Sequence, residues 1–208
     1  MSLEDKIIHS RLDAVEAQPL VDELAYEYAT RYADFDGFEK EEDAPEEIDL
    51  FPPFLFEAPY GDLLLIQRGT QTIAGGAFMY LDEETAEVKR VWTSKEHRRQ
   101  GLSRRIMTAL ESAAAERGYR RIYLTTGPRQ PEAKHLYLSL DYTPLFDLDE
   151  DPEKVLHLAF EKVITPLRDG VDIEGSEDEA LKQRNAVEET YRWRPRPHTR
   201  LADLKTSA

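Results

Sequence analysis

The stretch from Ala86 to Gly118 changes its hydrophobic period partway along, from that of a strand to that of a helix. Ala86 to Thr93 alternates as a strand, with Glu87, Lys89, Val91 and Thr93 on one face and Val88, Arg90 and Trp92 on the other. Leu102, Ile106, Leu110 and Ala113 then recur at helical spacing, and Gly118 is a stop signal. Between them lies Arg98-Arg99-Gln100-Gly101-Leu102-Ser103-Arg104. This order places a loop at a helix N-terminus, where backbone N–H groups lack intrahelical partners and the macrodipole is positive. Gly101 has no Cβ, so an anion can approach the backbone closely. The pattern predicts a pyrophosphate or similar anion at the loop; the competing interpretation is an ordinary helix start with exposed arginines.

The basic loop is informative because the chain around it is acidic. The 208 residues carry a formal net charge of −15, whereas Arg98, Arg99, Arg104 and Arg105 reverse that sign locally. Such a balance opposes broad contact with nucleic acid or anionic lipid and favours a cationic or amine-bearing small partner. The P-loop pattern GxxxxGK[ST] and the dinucleotide pattern GxGxxG are both missing. With no cysteine, disulfides, thiolate nucleophiles and Cys-type zinc sites are excluded, and the histidines are too scattered to predict a metal site. The N-terminus lacks the basic start and apolar run of a signal peptide, and the apolar runs are short. A cytoplasmic protein with no membrane partner is expected.

The remaining periodicities fill in an α/β chain. A short strand is expected near Ile7-Ile8, then a helix from Leu12 to about Tyr32 with Leu20, Leu24, Tyr28 and Tyr32 along one face. Residues 34–49 are rich in Asp and Glu, as a solvated loop or as an acidic wall beside an acceptor pocket. Leu63–Gln67 and Thr72–Tyr80 form a hairpin through Gly69, and Ile122–Thr125 is a further strand. Pro131 opens a helix whose apolar face is Ala133, Leu136, Tyr137 and Leu140, and strands follow at Thr143–Phe146 and Val155–Val163. One domain over residues 1–165 is expected. Residues 166–208 form an extension, helical or partly disordered, that packs on the domain or on a second subunit in a homodimer.

Arg98-x-x-Gly101-x-Ser103 resembles the acyl-CoA pyrophosphate loop of the GCN5-related N-acetyltransferases, Gln/Arg-x-x-Gly-x-Gly/Ala. Leu136-Tyr137-x-x-x-Asp141-Tyr142 resembles that family's second signature helix, which usually ends Leu-Tyr-x-x-x-Gly-Phe/Tyr. The resemblance runs over roughly residues 60 to 163. It implies a mixed, mostly antiparallel sheet with a splayed parallel pair near Trp92 and Leu124 and helices on both faces. It also implies acetyl-CoA as co-substrate, held by backbone N–H groups from Arg99 through Gln100, Gly101, Leu102 and Ser103 to Arg104, with the strand edge Val91-Trp92-Thr93 pairing with the pantetheine arm. Ser103 and Asp141 depart from the pattern. Ser103 is small enough to fit, and Asp tolerates the left-handed conformation a helix-ending glycine would adopt.

Tyr137 matches the family tyrosine that protonates the departing thiolate, though its spacing also marks a packing residue. Glu87 matches a position where some relatives carry a base or a water-relaying carboxylate, and the alternative is a structural or substrate-orienting role. Acetyl transfer from acetyl-CoA directly to a primary amine of a small, cationic acceptor is the expected function. A non-catalytic acyl-CoA-binding or regulatory module, or a protein or peptide acetyltransferase, is the alternative.

Overall fold

A computed structural model of the chain describes residues 4–37, 51–59 and 61–170. In chain order they form β1 (Asp5–Ser10), α1 (Gln18–Arg31), β2 (Asp62–Arg68), β3 (Gln71–Tyr80), β4 (Thr85–Thr93), α2 (Leu102–Glu116), β5 (Arg121–Thr126), α3 (Pro131–Leu138), β6 (Thr143–Pro144), α4 (Pro152–Val155) and β7 (Leu158–Val163). The strands make one sheet in the order β1-β2-β3-β4-β5-β7-β6. Every neighbouring pair is antiparallel except β4 and β5. The expected mixed sheet flanked by helices is therefore present. Most of residues 34–49, and residues 171–208 of the extension, lie outside the described residues.

Several boundaries differ from expectation for local reasons. α1 begins at Gln18 rather than Leu12, because Pro19 occupies its first turn and Val15–Ala17 forms a 3-10 turn before it. The last predicted strand starts late: Pro152–Val155 is a helical turn, capped where the Asp151 side chain accepts the Glu153 N–H at 3.0 Å. Asp141 adopts φ 62 beyond α3. The Tyr142 N–H donates to the Tyr137 carbonyl and the Asp141 N–H to Leu138, a Schellman closure that aspartate accommodates.

Two cores sandwich the sheet. On the α2 side, Leu64, Ala74, Phe78 and Val88 pack with Ile106, Leu110, Ile122, Leu124 and Phe160. On the α1 side, Leu63, Leu65, Ala77, Met79 and Trp92 pack with Leu20 and Leu24. Gly75 and Gly76 let both helices approach β3 at one point. A Cβ on Gly75 would stand 2.6 Å from Leu20 Cδ1, and one on Gly76 would stand 2.8 Å from Ile106 Cγ2.

The feature that shapes the site is a fork. β4 and β5 pair only from Thr85↔Arg121 to Val88↔Leu124, although β4 runs on to Thr93 and β5 to Thr126. A bulge bends β4 at that point. Ala77 faces Lys89 but Gly75 faces Trp92, so β4 has one extra residue, and Arg90 takes φ 61. The bulge also inverts the expected alternation. Val91 packs against the α2-side core with Val88, whereas Trp92 joins Glu87, the partner of Met79, on the α1 side. Glu87 therefore does not share a face with Val91 and Thr93.

Candidate functional site

The β4–α2 loop enters from a 3-10 turn at Lys95–His97 and reverses sharply, with Arg99 at φ 62 and Gly101 at φ 75. Gly101 is the N-cap of α2, and no side chain caps the helix. The Arg105 N–H reaches the Gly101 carbonyl at 3.1 Å, so the amides of Leu102, Ser103 and Arg104 precede the first intrahelical bond. The Ser103 hydroxyl is engaged with Thr93 Oγ1 at 2.9 Å, which fastens the end of β4 to the start of α2. A Cβ on Gly101 would meet nothing within 4 Å, so no neighbouring atom crowds the N-cap.

The arginines do not converge on that space as their clustering in sequence implied. The Arg98 Nη2 donates to Glu27 of α1 at 2.9 Å. Arg104 is bound to Ser139, 3.2 Å from its carbonyl and 3.0 Å from its hydroxyl, and Arg105 to Asp5 at 2.8 Å. Gln100 Oε1 accepts from Arg68 at 3.1 Å. Arg99 is exposed and, among the described residues, is engaged by no carboxylate. Leu102 is buried, so only its backbone faces the loop, and Trp92 is buried with Nε1 donating to Glu23 at 3.0 Å.

Tyr137 and Glu87 flank the root of the fork from opposite faces. The Tyr137 ring lies tilted with its centroid 5.5 Å from that of Phe160, which pairs with Leu124, the last residue of β5 joined to β4. Burial pushes its phenol well above the ordinary tyrosine value, so it stays protonated at neutral pH. Its hydroxyl has no hydrogen bond among the described residues. Glu87 pairs with Tyr123 one position below the root, fully buried on the α1 side. Its Oε1 lies 3.3 Å from Lys89 Nζ, which in turn sits 4.9 Å over the Phe51 ring.

The family model for the Acetyltransferase (GNAT) family matches residues 23–142, from α1 through the loop to the end of α3. The chain belongs to this family. YsnE, an uncharacterized N-acetyltransferase of Bacillus subtilis (strain 168), is 33% identical over 93 residues, 42% of this chain and 62% of that one. The chain thus spans less than two thirds of this curated relative. An acetyltransferase of the GNAT family from Staphylococcus aureus Mu50 superposes with a TM-score of 0.57 at 13% identity, covering 77% of this chain and 99% of that one. An acetyltransferase from Streptococcus agalactiae 2603 gives 0.56 at 17% identity, with 77% and 98% covered. At such identity these two structures establish the GNAT fold alone.

In this GNAT chain α1 does more than its sequence pattern implied. It runs across the open end of the fork and is fastened to both sides. Glu23 accepts from Trp92 Nε1 and from the Lys95 N–H at 3.2 Å on the β4 side. Arg31 donates to the Arg129 carbonyl at 2.8 Å and pairs with Glu132 at 2.5 Å on the α3 side. Glu23, Glu27 and Arg31 recur at helical spacing beside the apolar stripe, and this stripe of charges was the available signal. A cavity of about 630 Å³ opens beside it, lined by Glu23, Tyr26, Glu27, Ser94, Lys95 and Arg98 among others. No group of three or more His, Cys, Asp or Glu among the described residues is placed to hold a metal ion. No helix of the described residues is long and apolar enough to cross a membrane.

Proposed function

We propose that this GNAT chain is an acetyl-CoA-dependent N-acetyltransferase acting on the primary amine of a small cationic acceptor. The observation that carries the proposal is the fork above Val88 and Leu124, which opens beside the uncapped amides of Leu102 to Arg104 and the uncrowded N-cap Gly101. Acetyl-CoA supplies the activated acetyl thioester. Backbone N–H groups from Arg99 to Arg104, with the Arg99 guanidinium, bind its pyrophosphate. The β4 edge at Val91–Thr93, released from β5, offers main-chain groups to the pantetheine arm.

Two side chains then handle protons from opposite faces of the sheet. The protonated Tyr137 hydroxyl donates to the departing thiolate sulfur. Glu87 orients the acceptor or relays the proton that its amine releases. Most of the rate comes from alignment within the fork and from fixed dipoles. The net charge of −15 supports a cationic acceptor, because carboxylates concentrate cations near a cleft.

Thiol release from acetyl-CoA across polyamines, aminoglycosides, amino acids and peptides, at low and high salt, tests the proposal. Turnover with a cationic small amine, weakening as salt rises, is expected. CoA binding without thiol release for any amine would mark a binding module, and turnover confined to peptides would reassign the acceptor.

A further inference from the structure

Glu27 lies outside the loop and outside the motifs legible in the sequence, yet its carboxylate joins the elements that border the fork. Its Oε1 accepts from Arg31 and its Oε2 from Arg98, each at 2.9 Å. Arg31 continues to Glu132 on α3. The ion chain Arg98–Glu27–Arg31–Glu132 thus runs from the root of the loop, over α1, to the far side of the fork. Arg98 is followed directly by the left-handed Arg99 and is three residues from the open N-cap Gly101, but its guanidinium is turned to α1.

The Arg98 side chain is 44% exposed and that of Glu27 20%, so solvent and a competing anion both reach the pair. An ion pair this exposed contributes only modestly to stability. A pyrophosphate can accept two charge-assisted bonds from a guanidinium in matched geometry, whereas Glu27 holds Arg98 through one carboxylate oxygen. Exchange of one partner for the other is therefore favourable once a phosphate stands at the loop.

We propose that Glu27 is a positioning residue that holds Arg98 away from the loop and yields it to the pyrophosphate, so that α1 sets coenzyme affinity. The inference rests on the function proposed above. Exchange also releases the Arg98 tie to α1 while Glu23 keeps its bonds to Trp92 and to the Lys95 N–H, so coenzyme loading loosens one end of the ion chain across the fork. By linkage, whatever strengthens the Glu27–Arg98 pair weakens coenzyme binding by the same factor.

Calorimetric titration of coenzyme A into the wild type, Glu27→Ala, Arg98→Gln and the double variant tests this. Glu27→Ala is expected to tighten binding about 2- to 5-fold, the equivalent of one exposed ion pair. Arg98→Gln is expected to weaken it about 10-fold, as for a lost charge-assisted bond. The double variant is expected to match Arg98→Gln. Glu27→Gln, which keeps the side-chain volume, serves as the second variant and is expected to shift in the same direction as Glu27→Ala. Binding by both Glu27 variants that is equal to or weaker than wild type overturns the proposal. So does tightening that persists when Arg98 is already Gln, because Glu27 then acts through its general field. A wild type that does not bind coenzyme A is a separate result and overturns the proposed function as well.

Discussion

Gly101 carries two requirements at once, a left-handed backbone and an empty space where a side chain would project. Gly101→Glu violates both by different amounts. The backbone conformation costs about 1–2 kcal/mol for an L-residue, which the fold should tolerate. The carboxylate, in contrast, stands where an anion would bind. Calorimetry is expected to show loss of coenzyme A binding with a modestly lowered Tm, and wild-type affinity in this variant would show that the loop is not the phosphate site. Tyr137 separates the same way. Its hydroxyl has no hydrogen bond among the described residues, so Tyr137→Phe removes a proton donor and nothing that supports the core. Acid catalysis contributes about 10²–10⁴-fold. Single-turnover acetyl transfer should slow within that range while Tm and coenzyme affinity hold, and an unchanged rate would reduce Tyr137 to packing.

At the scale of elements, the site depends on how closely α2 lies on β3. Gly76 sets that distance, because a Cβ there would press on Ile106 Cγ2 and on Leu110 Cδ1 at 2.9 Å. Gly76→Ala overpacks the contact, at about 1–3 kcal/mol. Leu110→Ala leaves a cavity at the same contact, at about 2–5 kcal/mol. The two variants destabilise by opposite means, and only the first displaces the helix that carries the loop. Denaturant melts should find both less stable, whereas coenzyme affinity measured well below the melting range should fall for Gly76→Ala alone. Equal affinity in the two variants would mean the loop is positioned by the Thr93–Ser103 bond rather than by the seating of α2.

Across the whole molecule, ion pairs tie distant parts of the sheet to the helices. Asp5 on the edge strand binds Arg68 at 2.7 Å and Arg105 on α2 at 2.8 Å. The Arg68 hydrogen bond lowers its pKa most; burial opposes this and Arg105 adds to the lowering. Glu132 is also lowered, its burial being outweighed by the Arg31 hydrogen bond and a backbone hydrogen bond, with the charges of Arg31 and Arg98 adding to them. A carboxyl depressed in the folded state contributes stability above its unfolded pKa and loses it as pH falls through the folded value. Unfolding free energy should therefore decline on acidification below about pH 4.5, the ordinary carboxylate range. Asp5→Asn should make that decline shallower, and an identical slope would assign acid sensitivity to other carboxylates.

The sequence by itself determined most of the elements and the glycine loop that opens α2, because each depends on neighbours in the chain. The change of period after Thr93, the basic residues around Gly101 and the Leu136-Tyr137 helix are all local, and the structure places strand, loop and helices where they indicate. The resemblance already implied a splayed pair near Trp92 and Leu124; tertiary structure alone decided the bulge that shapes the fork, the side of the sheet on which Glu87 lies, and the course of α1. One extra residue opposite Gly76 bends β4 and exchanges the faces of every residue beyond it, and that residue is identifiable only from pairing with β3. The same holds for Arg98. Its charge was plain in the sequence, but its partner Glu27 is far away along the chain and meets it only because α1 lies across the fork.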